Sequence, residues 1–413
     1  MWPMGLIRRK PRQSGYTARR RDRKLVTMTY GKTWQGGFSL DPGLIHANHG
    51  SYGAVPRVIA DAQRQIRAQL DANPTGFLRD IQPGLVRAAA ARVAGFLGGS
   101  ASDWVFVDNA TAGVSAVLAS TRLDPGDEVL ITDQTYGAVR KAVAQLCRRT
   151  GARIVEVRIA LPVAAPADVL AAVTWAATDR TRLVVLDHVS SPCGLVLPIA
   201  ALCQQFRQRG IPVLVDGAHG PANVAVDVEA IGADFYTGNA HKWLCAPPGA
   251  GMLWCRPEHQ PDLHPLVISH GFEDGYTSGF DWPGTRDPSA WLSVPAAIDF
   301  HQDNGGPALR ERNRKTALQA GHQLAADFGT VLAAPADMQS SMVTIQIWPD
   351  RELNQPDCAQ LQRRVQLEQN AVVATTAAGG ATWLRLSAAI YSEADELVEA
   401  GRRVWACLQG GAS

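Results

Sequence analysis

No apolar run in this 413-residue chain approaches the roughly 18–20 residues that a membrane-spanning helix needs, so no membrane partner is expected. The seven cysteines (147, 193, 203, 245, 255, 358 and 407) are odd in number, scattered, and never form CxxC. That argues against a disulfide framework and a zinc site, and fits a reducing cytoplasm, the compartment expected here. No G-x-G-x-x-G follows the first strand, which removes the usual dinucleotide-binding signal. Acidic residues are scarce in one place: residues 1–27 carry nine Lys and Arg against Asp22 alone, so the near-neutral net charge of +2 hides a basic arm on an acidic remainder. Such an arm reads as a nucleic-acid contact, a targeting peptide or a disordered leader. It lacks the apolar segment of a secretory signal, and Met28 opens a more ordinary sequence. Residues 1–30 are therefore expected to be a leader without a part in the chemistry, and no nucleic-acid partner is expected.

From about residue 104, short β-rich runs alternate with helical stretches. The runs are Trp104–Val107, Glu128–Thr132, Arg153–Ile159, Arg182–Leu186, Pro212–Val215, Ala233–Tyr236 and Gly251–Cys255. Helices are predicted near 112–120, 136–150, 166–177 and 198–209. Val, Ile and Leu dominate several runs with little alternation, as in strands covered on both faces. The reading is an α/β fold with a largely parallel sheet. The last two runs leave no room for a crossover helix, so one of them is expected to be antiparallel. After about 290 the pattern changes to a helix-rich stretch, strands near 342–348, 371–375 and 382–387 with a helix near 357–369, and a final helix over 392–408. The expected organisation is a leader (1–30), an N-terminal segment with a large domain (31–290), and a smaller α+β domain (291–413).

Ligands of an open parallel sheet gather at the carboxyl ends of its strands, and three features fall there. Asp108-Asn109-Ala110-Thr111-Ala112-Gly113 runs into a helix start; it suits an anion at a helix N-terminus, or an ordinary N-cap by Asn109 or Thr111. Asp216-Gly217-Ala218-His219 leaves a buried strand; the carboxylate suits a protonated ring nitrogen, or with His219 a metal, although Asp-x-x-His alone is poor metal evidence. In Tyr236-Thr237-Gly238-Asn239-Ala240-His241-Lys242-Trp243, a lysine in an apolar setting is a candidate amine nucleophile, since desolvation favours its neutral form.

Taken in order, these segments resemble the class V aminotransferases, and most closely their isopenicillin-N-epimerase-like branch. The resemblance is carried by Asn48-His49-Gly50-Ser51-Tyr52-Gly53-Ala54, Asn109-Ala110-Thr111, Asp133-Gln134-Thr135-Tyr136-Gly137-Ala138 and Ser190-Ser191-Pro192-Cys193-Gly194. It continues through Asp216–His219, Gly238–Leu244, Pro247–Gly251, Gly284-Thr285-Arg286-Asp287 and Leu384-Arg385-Leu386-Ser387, and covers roughly residues 40–400. It implies a pyridoxal 5′-phosphate (PLP) enzyme of fold type I. Lys242 would carry the cofactor as a Schiff base and move protons at Cα, Asp216 would pair the pyridine nitrogen, and His219 would lie at the ring face or phenolic oxygen. Tyr136 would stack on the ring, unless it is only a core aromatic. Ala110, Thr111, Thr237 and His241 would hold the phosphate, with Thr285 donated by the neighbouring subunit of a homodimer. Arg385 would bind the substrate α-carboxylate, with Asn48, His49 and Tyr52 lining the mouth.

After Arg385 the chain reads Ala389-Ile390-Tyr391-Ser392 where the family commonly has Tyr-Asn. No cysteine occupies the mobile-loop position of cysteine desulfurases, so persulfide transfer is not expected. The expected activity is reaction at Cα of an amino-acid-like substrate, of the epimerase or aminotransferase kind, with a carbon–sulfur β-lyase or a decarboxylating enzyme as the alternative. A dehydrogenase lacks its fingerprint, and a catalytically silent binding protein would not need Lys242, Asp216 and Arg385 together. The aromatics Phe272, Tyr276, Phe280, Trp282 and Trp291 suggest a substrate wall or packing between subunits, the latter being expected.

Overall fold

The computed structural model describes residues 30–409; the leader expected over 1–30 lies, apart from Tyr30, outside the described residues. Seven strands form the main sheet: β1 (Trp104–Val107), β2 (Glu128–Thr132), β3 (Arg153–Val157), β4 (Thr181–Asp187), β5 (Val213–Gly217), β6 (Phe235–Asn239) and β7 (Gly251–Cys255). Their order is β1-β7-β6-β5-β4-β2-β3. All neighbours are parallel except at β7, which runs antiparallel to both β6 and β1, as the short connection from β6 requires.

Both faces of this sheet are covered. Two helices of ten or more residues precede it, α1 (Arg57–Ala72) and α2 (Gln82–Leu97), and four of its connections or flanks are helical: α3 (Ala110–Ser120), α4 (Gly137–Thr150), α5 (Pro166–Ala176) and α6 (Ile199–Gln208). Leu183 and Val185 of β4 pack in one apolar cluster with α3 and α4, whereas Val184 and Leu186 pack in another with α2, α5 and α6. Period-two side chains thus feed two cores, which is why the strands read as nearly continuous apolar runs. The helices follow from their spacing. Val139, Val143, Leu146 and Cys147 form the buried stripe of α4, and Gly151, at φ +78°, closes it in the left-handed conformation.

The C-terminal part contains α7 (Val294–Asp303), α8 (Pro307–Phe328), β8 (Met342–Trp348), α9 (Gln355–Gln369), β9 (Ala374–Ala378), β10 (Ala381–Ser387) and α10 (Ala394–Gln409). Its three long strands form an antiparallel sheet, β9-β10-β8. Residues Ile45–His46 pair in parallel with Ala371–Val372, and Asn48 bridges Ser387. The N-terminal segment is therefore tied to the C-terminal sheet before the chain enters α1.

Two differences from the sequence expectations matter. Helices α1 and α2 were not anticipated: α1 buries only Ile59 and Leu70, and the buried face of α2 mixes the small Ala89 and Ala90 and the polar Gln82 with Val86, Val93 and Leu97. Strand β6 lies further along the chain than predicted, because Asp234 stays outside it, its carboxylate accepting from Val213 N and Arg256 Nε. Thr237 and Asn239 are thereby drawn into the sheet.

Candidate active site

The parallel strands β2, β4, β5 and β6 end on one side of the sheet. Asp187 and Asp216 are in register on neighbouring strands, so their side chains share a face. Both are buried. Asp216 Oδ1 accepts from Ala218 N at 3.0 Å. Burial raises its pKa, against the pull of that hydrogen bond and of Lys242. Burial and then the Asp216 charge push Asp187 up as well, while an N–H of Tyr136 pulls it down. A buried carboxylate with so few donors calls for a cation or a proton.

Lys242 follows β6, and burial lowers its pKa to about 8, with Asp216 and Asp187 opposing and Arg385 assisting. Its Nζ lies 3.1 Å from His219 Nε2. His219 is buried and kept far below its ordinary pKa by burial, Lys242 and Arg385. His241 Nδ1 lies 3.2 Å from Ala250 O, leaving the other ring nitrogen for a ligand, and burial lowers its pKa too.

The helix start behind β1 is more occupied than the sequence suggests. Asn109 caps α3 by accepting from Ala112 N at 2.9 Å, and Ala110 N donates to Asn239 Oδ1 at 2.8 Å. The N–H of Ala110 is thus already spent inside the chain, leaving that of Thr111 in the first turn for an anion. Asn239, not anticipated as a contributor, pins this turn to β6. Thr237, expected at the phosphate, is corrected: it is fully buried, and its hydroxyl donates to Met252 O at 3.0 Å. The close approach of α3 to β6 explains this. A Cβ on Gly113 would come within 2.2 Å of Thr237 Oγ1.

Arg385, on β10, is buried, and burial lowers its pKa to about 10. Its Nη1 donates to Ser191 O, and its Nη2 donates to Asn48 Oδ1 and Ser51 Oγ, each at 3.1 Å. Its buried Nε has no partner among the described residues. Asn48 therefore orients the guanidinium. Tyr52 is 84% exposed and Tyr136 43% exposed. His49, expected at the mouth, is also corrected: it is buried, with Nδ1 3.0 Å from Tyr391 Oη and Nε2 3.2 Å from Lys242 O. It supports the Lys242 backbone from behind. Tyr391, which the family comparison singled out as a departure, is its partner.

Thr285 is exposed, on a loop where Gly284 has φ +100°. Next to it, Arg286 pairs with Asp108 at 2.5 Å and lies over the Trp291 ring. The aromatics around this loop pack largely within the chain. Trp291 is buried and stacked on Phe106, with its Nε1 donating to Val107 O, and Phe280 packs edge-on to Tyr276. The expectation that they pack between subunits fails for these three.

The donor set suits PLP: a buried amine with a lowered pKa, a buried carboxylate short of partners, a helix start with Thr111 N to offer, and a buried guanidinium with a spare N–H. A family model, aminotransferase class V, matches residues 56–398. The chain belongs to that family. It is a PLP-dependent enzyme of fold type I. Isopenicillin N epimerase of Streptomyces clavuligerus is 34% identical over 385 residues, spanning 88% of this chain and 94% of that protein. A putative L-cysteine desulfhydrase of Oryza sativa subsp. japonica is 38% identical over 326 residues, 74% of this chain and 67% of that one. Among solved structures, a cystine C–S lyase in complex with cysteine persulfide superposes with TM-score 0.76 at 20% identity, covering 88% of this chain and 98% of its own. A cysteine desulfurase of Thermococcus onnurineus gives TM-score 0.76 at 18% identity, covering 93% and 99%. These two likenesses concern the fold alone. No helix of the described residues is long and apolar enough to cross a membrane.

Proposed function

We propose that this enzyme removes the Cα proton of an α-amino acid whose carboxylate is held by Arg385, and that epimerisation is its outcome. The observation that carries the reading is the meeting of a buried amine, its pKa lowered to about 8, with a buried guanidinium that has an unpartnered Nε. An arginine fork recognises a carboxylate through parallel N–H donors. An amine whose pKa lies near 8 keeps a usable free fraction near neutral pH and can act as nucleophile and base.

In this reading Lys242 is the attachment point, and its released amine takes the Cα proton on its own face, while inversion requires a proton delivered to the opposite face. PLP, when bound, supplies an electron sink for the charge left at Cα. Asp216 would hold the proton on the pyridine nitrogen, Tyr136 would cover the ring, and His219 would face Lys242 and the phenolic oxygen. Thr111 N and His241 would hold the phosphate, together with Thr285 of the partner subunit in a homodimer. Asn48 would steady Arg385 and Tyr52 would stand at the mouth. Epimerisation is supported by the relative matched over nearly its whole length.

A second reading is β-elimination at a carbon–sulfur bond, as the desulfhydrase relatives' names suggest. One observation favours it: His219 and His241, the imidazoles near Lys242, are both poor proton acceptors. Elimination needs one base where two-base epimerisation needs two. A persulfide carried on a mobile cysteine has no place in either reading, since all seven cysteines are buried.

Incubation of the holoenzyme in deuterated water with a panel of amino acids and cysteine conjugates separates the outcomes. Epimerisation gives Cα-deuterated product of inverted configuration, and elimination gives sulfide, ammonia and a keto acid. Absence of both products and of Cα exchange across the panel would sink the proposal.

A further inference from the structure

Trp243 follows Lys242, and its side chain turns back to the same cluster. Its indole Nε1 donates to His219 Nδ1 at 3.2 Å, while His219 Nε2 lies 3.1 Å from Lys242 Nζ. An indole nitrogen only donates. His219 Nδ1 is therefore the acceptor and carries no proton, and a neutral imidazole must then hold its single proton on Nε2, facing Lys242. Between Nε2–H and Nζ one hydrogen bond is workable: the imidazole donates and the amine lone pair accepts. An ammonium at Lys242 would set N–H against N–H. To donate instead, it would need lone pairs on both ring nitrogens, which is an imidazolate.

We infer that Trp243 is a positioning residue: its indole fixes His219 as the Nε2–H tautomer, and through it weakens the hold of Lys242 on its proton. The inference rests on Lys242 being the attachment point.

The parts are held in place. Trp243 is buried beside Gly50, where a Cβ would stand 3.0 Å from indole Cζ2. The His49 ring lies 5.3 Å away by centroids, and Asn223 Nδ2 donates to His219 O at 3.0 Å. The charged and titratable groups acting on this pair are mixed. Asp216 and Asp187 favour the ammonium, Arg385 opposes it, and His241, neutral by burial, adds no charge. His49, neutral as well, meets Lys242 at its backbone carbonyl. A hydrogen bond that accepts only the free amine tips this balance. It also defines His219 as a fixed donor, because protonating Nδ1 would break the indole bond.

The test uses the full-length chain. Nitrogen-15 NMR of histidine-labelled protein without cofactor should show a pyridine-type Nδ1 and a pyrrole-type Nε2 at His219 at pH 9, where Lys242 is the free amine. In Trp243→Phe that single tautomer should give way to a mixture. Capture of PLP, trapped with borohydride, gives a second readout: its pH midpoint should rise by about one pH unit, or roughly tenfold less free amine at neutral pH. His219→Gln offers an acceptor oxygen and a donor N–H, so it should keep the low midpoint, whereas His219→Leu should not. The inference is overturned by a wild-type proton on Nδ1, by an unmoved midpoint in Trp243→Phe, or by His219→Gln shifting as far as His219→Leu. The tautomer is read without cofactor, so its failure is separate from failure of the attachment point, which peptide mapping of the trapped adduct reads.

Discussion

Lys242→Met should stabilise the cofactor-free chain near neutral pH. The side chain is largely withdrawn from water, and burial lowers its pKa from 10.5 to about 8. Below pH 8 the lysine is charged in both folded and unfolded chains, and the folded state carries the full penalty of holding that charge. Between about pH 8 and 10.5 the unfolded chain binds more protons, so stability contributed by this group rises with pH until the penalty is gone. The gap, at about 1.4 kcal/mol per pH unit, is about 3–4 kcal/mol. The opposing pull of Asp216 and Asp187 is already contained in that gap. The buried thiols complicate a direct pH scan. Burial raises Cys193 and Cys245 to about 12, which makes their contribution fall as pH climbs above 9. The useful observable is therefore the difference between variant and wild type, from urea unfolding at several pH values. It should be largest at pH 7 and shrink towards zero near pH 10.5. A Lys242→Met chain no more stable than wild type at pH 7, or a difference independent of pH, would refute the reasoning.

Three further outcomes are expected. Asp216→Asn should retain bound PLP but lose turnover by about 10²–10³-fold, the lower part of the range for breaking a buried charge pair, and near-wild-type steady-state rates would move the pyridine contact elsewhere. Gly113→Ala should cost about 1–3 kcal/mol and weaken PLP affinity, because the new methyl meets Thr237 within 2.2 Å and pushes the start of α3 off β6; an unchanged melting midpoint and dissociation constant would contradict the packing. Inactive Lys242→Ala and Thr285→Trp, dissociated and mixed, should regain up to half of wild-type activity per mixed dimer, and full activity of Thr285→Trp alone would remove the composite site.

The sheet was legible because its strands are buried on both faces, so apolar runs at Glu128–Thr132 and Gly251–Cys255 coincide with the observed strands. Helix α4 was legible from its apolar stripe and closing glycine. What escaped depends on partners distant in sequence. Asn239 looks like loop polarity until its contact with Ala110, 129 residues away, is seen. His49 reads as a ligand-facing histidine in a Gly-Ser setting, and only its contacts with Tyr391 and the Lys242 carbonyl place it behind the site. Thr237 differs for a local reason: the expected run ends at Tyr236, three residues short of the observed end of β6 at Asn239, which turns an interior side chain into a loop hydroxyl. The indole of Trp243 carried no signal in the sequence beyond its place after the lysine.

The arrangement around Arg385 shows why so many separate segments are needed. A guanidinium withdrawn from water is costly unless its donors are satisfied. Here Ser191 after β4, and Asn48 and Ser51 from the N-terminal segment, accept from the two terminal nitrogens and leave Nε. None of these partners is a carboxylate, so the charge is positioned without being neutralised. A substrate carboxylate would supply the missing anion, and the field of Arg385 already disfavours an ammonium at Lys242. Neutralising the guanidinium would relax that pressure and raise the affinity of the lysine for a proton. Binding of the carboxylate and readiness of the amine to accept the Cα proton are then coupled through charge alone, with no movement of the backbone required.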